Sequence, residues 1–146
     1  MKTFQFRLER VLAWRGTELA RAEAKGEQLK GGLRAAHESM VELVAGRARA
    51  QATTGRSAIL SGEDLAVLDR TRIWTVREEK RLAARVLDLE KSIEAQNRCV
   101  ANAGRGVKLV ERLRERKHQT WKTESDHEID ELAGESAIAQ WRRLHT

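Results

Sequence analysis

Apolar residues recur in alternating steps of four and three over two long stretches of this chain, the spacing that lines one face of a helix paired with another helix. From about residue 4 to residue 52, one row reads Leu12, Leu19, Gly26, Leu33 and Met40; the second reads Leu8, Arg15, Ala22, Leu29, Ala36, Leu43 and Ala50. The period lapses between residues 53 and 62 into TTGRSAILSG, whose glycines and hydroxyl residues mark a turn, with Ser61 or Thr54 as a helix cap. The rows then resume as Leu65, Arg72, Glu79, Val86, Ile93, Val100 and Val107, and as Leu68, Thr75, Leu82, Leu89, Gln96, Ala103 and Val110. This second seam is polar at its start and strong in its middle. Arg15 and Gly26 weaken the first seam locally. Gly31 and Gly32 add two poor helix formers, each about 1 kcal/mol worse than Ala, so a bend there fits the pattern better than a break.

The pattern predicts an all-α chain: one long antiparallel two-helix coiled-coil hairpin with an overhanging C-terminal helix, a single domain over residues 1–146. Helix one is expected over about 4–52, the turn over about 53–62 and helix two over about 63–137. At 1.5 Å per residue the helices measure roughly 74 and 110 Å, so their lengths do not match. A turn centred near residue 58 pairs residue 5 with about residue 111, and the helix beyond about Arg114 then lacks a partner within the molecule. The same placement puts Val41 and Val44 on the outer side of helix one, level with Ile73 and Val76 on helix two. His37, Lys80 and Ala83 extend this apolar patch, and Trp74 lies at its margin. A clustered patch of this kind is either a contact surface or the seat of a third helix or a second copy.

Composition narrows the class further. The chain has no Pro, where average usage would supply about seven, so no obligatory helix stop interrupts it. Two Phe and four Trp are too little bulky apolar material for a layered sandwich or barrel. The net charge of +6 makes an anionic or acidic partner plausible. Charge is also segregated: residues 105–122 hold seven Lys or Arg against two Glu, whereas residues 124–135 hold six acids and no base. Such blocks are commonly solvated faces. The single Cys99 has no partner for an intrachain disulfide, which fits a reducing compartment, and the cytoplasm is the expected location. No stretch resembles a signal peptide or a transmembrane span.

Catalytic chemistry is not evident. The stretch Gly26 to Gly31 spaces its glycines like a phosphate-binding loop, but Gly32-Leu33 follows where Lys and then Ser or Thr are needed. His37, His118, His127 and His145 include no pair at the one-turn spacing that would present two metal ligands on one helix face. Carboxylate pairs such as Glu78 and Glu79 lie on an exposed helix without a pocket. The chain therefore reads as a non-enzyme with no cofactor and no metal. Its other unusual feature is Phe4, Phe6, Arg7, Arg10 and Trp14 beside Arg112, Arg114, Arg116 and Lys117. Aromatics interleaved with arginines stack on bases or enter a groove on a protein; equally, Phe4 and Phe6 can staple the two helices together. A basic coiled-coil nucleic-acid-binding module is the alternative reading, but the adjacent acidic block repels phosphate, and no nucleic acid is expected.

The opening Phe4-Gln5-Phe6-Arg7-Leu8-Glu9-Arg10-Val11-Leu12, followed by Arg15, Glu18 and Ala20, resembles the start of the flagellar export protein FliJ family. Gly62-Glu63-Asp64-Leu65, the run Leu109 to Arg116 and Glu128-Ile129-Asp130-Glu131-Leu132-Ala133 extend the resemblance over nearly the whole chain. The resemblance implies an antiparallel coiled coil akin to the central stalk of rotary ATPases. It further implies a non-enzymatic part of the flagellar type III protein export apparatus that serves bacterial motility. Such a protein couples the hexameric export ATPase to the membrane export-gate protein and helps deliver export chaperones, from the cytoplasm and the periphery of the inner membrane. On that basis Phe4, Phe6, Arg7, Arg10, Trp14, Arg112, Arg114, Arg116 and Lys117 face the ATPase ring. His37, Val41, Val44, Ile73, Trp74, Val76, Lys80 and Ala83 face the gate.

Overall fold

A computed structural model describes residues 3–56 and 59–145. The described chain is all-helical: two long helices, α1 (Glu9–Gly55) and α2 (Gly62–Leu144), are packed together, and no strand occurs among the described residues. The expected turn centre near residue 58 lies outside the described residues. Two compact units are present, a central unit over Arg21–Ala101 and a terminal unit built from the described residues up to Ala20 and from Asn102 onward.

Each helix boundary has a local cause. The first helix starts at Glu9 rather than near residue 4, because the backbone first turns at Arg7 and Leu8, with the Glu9 N–H donating to the Phe6 carbonyl at 3.2 Å. Glu9 supplies an acid to the first turn, where the helix dipole favours one. Helix α1 then runs past the expected limit of residue 52 and ends at Gly55. Ser61 and Asp64 form a reciprocal cap at the start of α2. The Asp64 carboxylate accepts from the Ser61 N–H at 2.9 Å and the Ser61 hydroxyl at 2.8 Å, while the Asp64 N–H donates back to Ser61 Oγ at 3.2 Å. Of the two expected caps, Ser61 performs the role; Thr54 lies inside α1 and donates to the Ala50 carbonyl. Helix α2 continues beyond residue 137 to Leu144, with Arg142 and Arg143 in a last turn where the dipole favours cations.

Burial follows the two predicted rows. Gly26 and Ala36 are buried on α1, as are Thr75, Leu82, Leu89 and Gln96 on α2. The ends of the rows depart from this, since Leu8, Leu65 and Arg72 are exposed. The glycines expected to weaken the seam are the places where α2 inserts its larger side chains. A Cβ on Gly26 would lie 3.7 Å from Gln96 Cγ, and one on Gly32 would lie 3.6 Å from a Leu89 methyl. Neither glycine interrupts α1, which remains helical from Glu9 to Gly55.

The helices run antiparallel within each unit, but the pairing is offset from the expected one. In the central unit Gln96 bonds to the Ala22 carbonyl and Arg47 pairs with Glu79. In the terminal unit Glu9 pairs with Arg114, and Phe4 packs against His118. Pairing residue 5 with residue 111 is therefore incorrect: the true partners lie about six residues further along α2. The connection is asymmetric. Thr54 and Gly55 at the end of α1 share a groove with Leu68, Thr71 and Arg72, leaving the first residues of α2 beyond the end of α1. For the same reason the contact of α2 with the N-terminal segment extends to Trp121, past the expected limit of about Arg114.

Candidate partner-binding surfaces

In the terminal unit, α2 holds the N-terminal segment through aromatic contacts. The Phe4 ring meets His118 edge-on, with centroids 5.0 Å apart, and lies 5.8 Å from Trp121; His118 and Trp121 are themselves 5.6 Å apart. Phe4 and Phe6 are half-buried, and Phe4 acts as a staple. Around this cluster Arg7, Arg10, Arg112, Arg116 and Lys117 are exposed. Arg114 is engaged by Glu9 at 3.2 Å, so part of the basic charge is answered within the fold. Trp14 is more than half exposed, and the Arg15 guanidinium lies 5.1 Å from its ring centroid. Arg15 also reaches Glu18 at 3.8 Å and lies over Gly106, which lets a charged residue occupy a seam position without being fully buried.

Sequence reading missed His118 and Trp121 as members of this cluster. The pairing offset conceals them: with residue 5 opposite residue 111, neither ring is within reach of Phe4. A cavity of about 630 Å³ lies beside the cluster, lined by Phe4, Glu111, Arg114, Glu115 and His118. Its lining carries charges of both signs.

In the central unit, Val41, Val44, Ile73, Trp74 and Val76 are all exposed, with Val41 69% accessible. His37, Lys80 and Ala83 are exposed as well. These residues do not share one height as expected. The contacts of Gly32 with Leu89 and Arg47 with Glu79 set Val44 level with about residue 78. Val76 thus stays near Val44, while Ile73 shifts toward the connection by about 7 Å. The patch is a slanted band.

Beside this band the two helices enclose a groove of about 990 Å³. Its walls include Gly46, Ala50 and Thr54 from α1 and Thr71 and Thr75 from α2. Small and hydroxyl side chains along these walls leave room that Leu or Ile would fill. Across the same region Arg47 holds Glu79 at 3.4 Å, which answers the carboxylate that interrupts the second seam. Glu78, on the adjacent position, is hydrogen-bonded by Arg81, and this bond lowers the Glu78 pKa and raises that of Arg81.

Among the described residues, no group of three or more His, Cys, Asp or Glu is arranged to hold a metal ion, and no buried side-chain polar atom lacks a partner. No described helix is long and apolar enough to cross a membrane. The chemistry on offer is that of exposed charge, aromatic edges and apolar bands. No protein family, curated protein or solved structure compared with the chain matches it.

Proposed function

We propose that this chain is a FliJ-type component of a flagellar type III export apparatus. In this reading its two helices form an antiparallel coiled coil that links the export ATPase hexamer to the membrane export-gate protein and assists export-chaperone delivery. It works in the cytoplasm and at the periphery of the inner membrane, and it is not itself an enzyme. The observation that carries the reading is the disposition of the Phe4-Gln5-Phe6-Arg7-Leu8 motif. Phe4 is anchored on α2 by His118 and Trp121, while Arg7 and Arg10 remain exposed in the same unit as Arg112, Arg116 and Lys117.

The mechanism is mechanical and electrostatic. Paired helices sharing one seam resist bending better than a lone helix, as a coupling element must. Exposed arginines speed encounter with an acidic ring surface and give that encounter a marked salt dependence. The apolar band at Val41, Val44 and Val76 supplies a salt-insensitive contact for the gate.

Charge reversal at Arg112 and Arg116 tests the reading without disturbing the Glu9–Arg114 pair. Association with the purified export ATPase should weaken and its salt dependence flatten, while helicity stays unchanged. Undiminished association at low salt would remove the basic cluster from the interaction. Tight, steeply salt-dependent binding to duplex DNA at physiological salt would favour the nucleic-acid reading instead.

A further inference from the structure

We infer that the groove of the central unit docks one amphipathic helix of a partner protein, which presents an acid, a leucine-sized aliphatic side chain and a base on successive turns of one face. The inference rests on the groove alone and does not depend on the export role. The groove is a socket without a plug. Further along the seam, a Cβ on Gly32 would meet a Leu89 methyl at 3.6 Å, so α2 fills the space that this glycine leaves. Gly46 stands two heptads after Gly32 on α1, and Thr75 two heptads before Leu89 in its row on α2. The same pair of positions therefore recurs with Thr in place of Leu. A Cβ on Gly46 would meet nothing within 4 Å, and Gly46 and Thr75 both line the groove of about 990 Å³. Packed interiors hold few voids of this size, so the space suits side chains that this chain does not supply.

The walls select a helix as the occupant. Leu43, Leu68 and Leu82 supply apolar surface. The hydroxyls of Thr54, Thr71 and Thr75 donate to the carbonyls of Ala50, Val67 and Thr71 at 2.9, 2.9 and 2.8 Å, which spends the one donor that each has. An extended segment would bring its own backbone groups against walls with few donors left, whereas a helix satisfies its backbone internally. Gly46 and Ala50, one turn apart on the same wall, let a third helix axis approach closely.

Charge on these same walls specifies the pattern of that helix. Of the four charged residues lining the groove, Arg47 is held by Glu79 and Glu78 by Arg81. The side chains of the other two, Arg72 and Glu42, form no ion pair or hydrogen bond with a described residue. The contacts that set Val44 level with about residue 78 set Arg72 level with about residue 50, so Gly46 falls midway between Arg72 and Glu42. The two charges lie about 12 Å apart along the groove, about two helical turns. Residues at i, i+4 and i+7 share one helix face. An acid, an aliphatic residue and a base at that spacing answer Arg72, the Gly46 socket and Glu42 together.

The test uses the full chain and a labelled, alanine-rich helical peptide of about 18 residues with Glu, Leu and Lys at the i, i+4 and i+7 positions of one face. Fluorescence anisotropy should show binding with a dissociation constant of about 10–100 μM. Peptides carrying two Glu or two Lys at the charged positions should bind about tenfold more weakly. Arg72→Glu should reverse that order in favour of the two-Lys peptide. Gly46→Leu and Thr75→Leu each fill the socket from within, so either should weaken binding about tenfold or more without lowering Tm. No binding at about 1 mM peptide overturns the inference, as does a peptide order that Arg72→Glu leaves unchanged. Binding indifferent to both leucine variants overturns it too, and a lowered Tm in both shows that the socket is not open. A dimer of the chain alone that Gly46→Leu abolishes gives the groove to a second copy and overturns the partner helix.

Discussion

The Gln96 side-chain amide donates a 2.9 Å hydrogen bond to the backbone carbonyl of Ala22, on the other helix and 74 positions away in sequence. Gly26, one turn further along α1, lies under the Gln96 side chain, 3.7 Å from its Cγ by the position a Cβ would take. A buried polar side chain thus finds a half-buried acceptor on the facing helix, and the pair fixes which turns of the two helices meet.

Replacing Gln96 by Ala should therefore cost about 1–3 kcal/mol, from the lost hydrogen bond and the space left behind. Gly26→Ala should behave in the opposite way. Its Cβ would sit 3.7 Å from Gln96 Cγ, an ordinary contact, and the helix gains up to about 1 kcal/mol of propensity. Chemical denaturation of both variants measures this, and a strongly destabilised Gly26→Ala would show that glycine is required for close approach.

The Ser61–Asp64 cap gives a pH dependence with a definite sign. Hydrogen bonds from the Ser61 backbone and hydroxyl hold the Asp64 pKa below its ordinary value of 3.8. The cap's contribution is thus fully present above the unfolded value and disappears as pH falls through the lower folded one. Ser61→Ala should lower Tm at neutral pH by a few degrees. The difference between variant and parent should shrink in strong acid; a difference that persists unchanged there would assign the effect to something other than the Asp64 carboxylate.

Phe4→Ala should release the N-terminal segment from α2. The ring contacts with His118 and Trp121 contribute about 0.5–1.5 kcal/mol beyond simple burial. Amide exchange at residues 4–8 should accelerate and the His118 ring resonances should move, while helicity of α2 stays unchanged. Unaltered exchange would mean that the segment is held by Phe6 alone.

Val44→Asp combined with Val76→Asp should leave the thermal midpoint nearly unchanged, because both side chains are exposed and surface substitutions stay within about 0.5 kcal/mol each. Association with the export-gate protein should fall sharply if the slanted band is its contact. Melting of the double variant would place these valines in a packed interface.

Much of the fold was legible because it is periodic. Leu82, Leu89 and Gln96 are buried where the rows place them, and so is Ala36. The aromatic cluster was not legible, since nothing local to Phe4 indicates that His118 and Trp121 stand opposite it. Gly26 and Gly32 misled in an instructive way: along one helix they look like gaps in the stripe, and only beside Gln96 and Leu89 do they become sockets.

By itself the amino-acid order determined that this chain forms two long helices and which face of each turns inward, because helical periodicity depends only on the spacing of neighbouring residues. Only the tertiary structure decided how far one helix slides along the other. A row repeating every seven residues looks much the same at several offsets, and the choice among them falls to side-chain shape and hydrogen bonding between distant residues, here Gln96 at Gly26 and Leu89 at Gly32. That slide sets the slant of the valine band and brings Phe4 to His118 and Trp121.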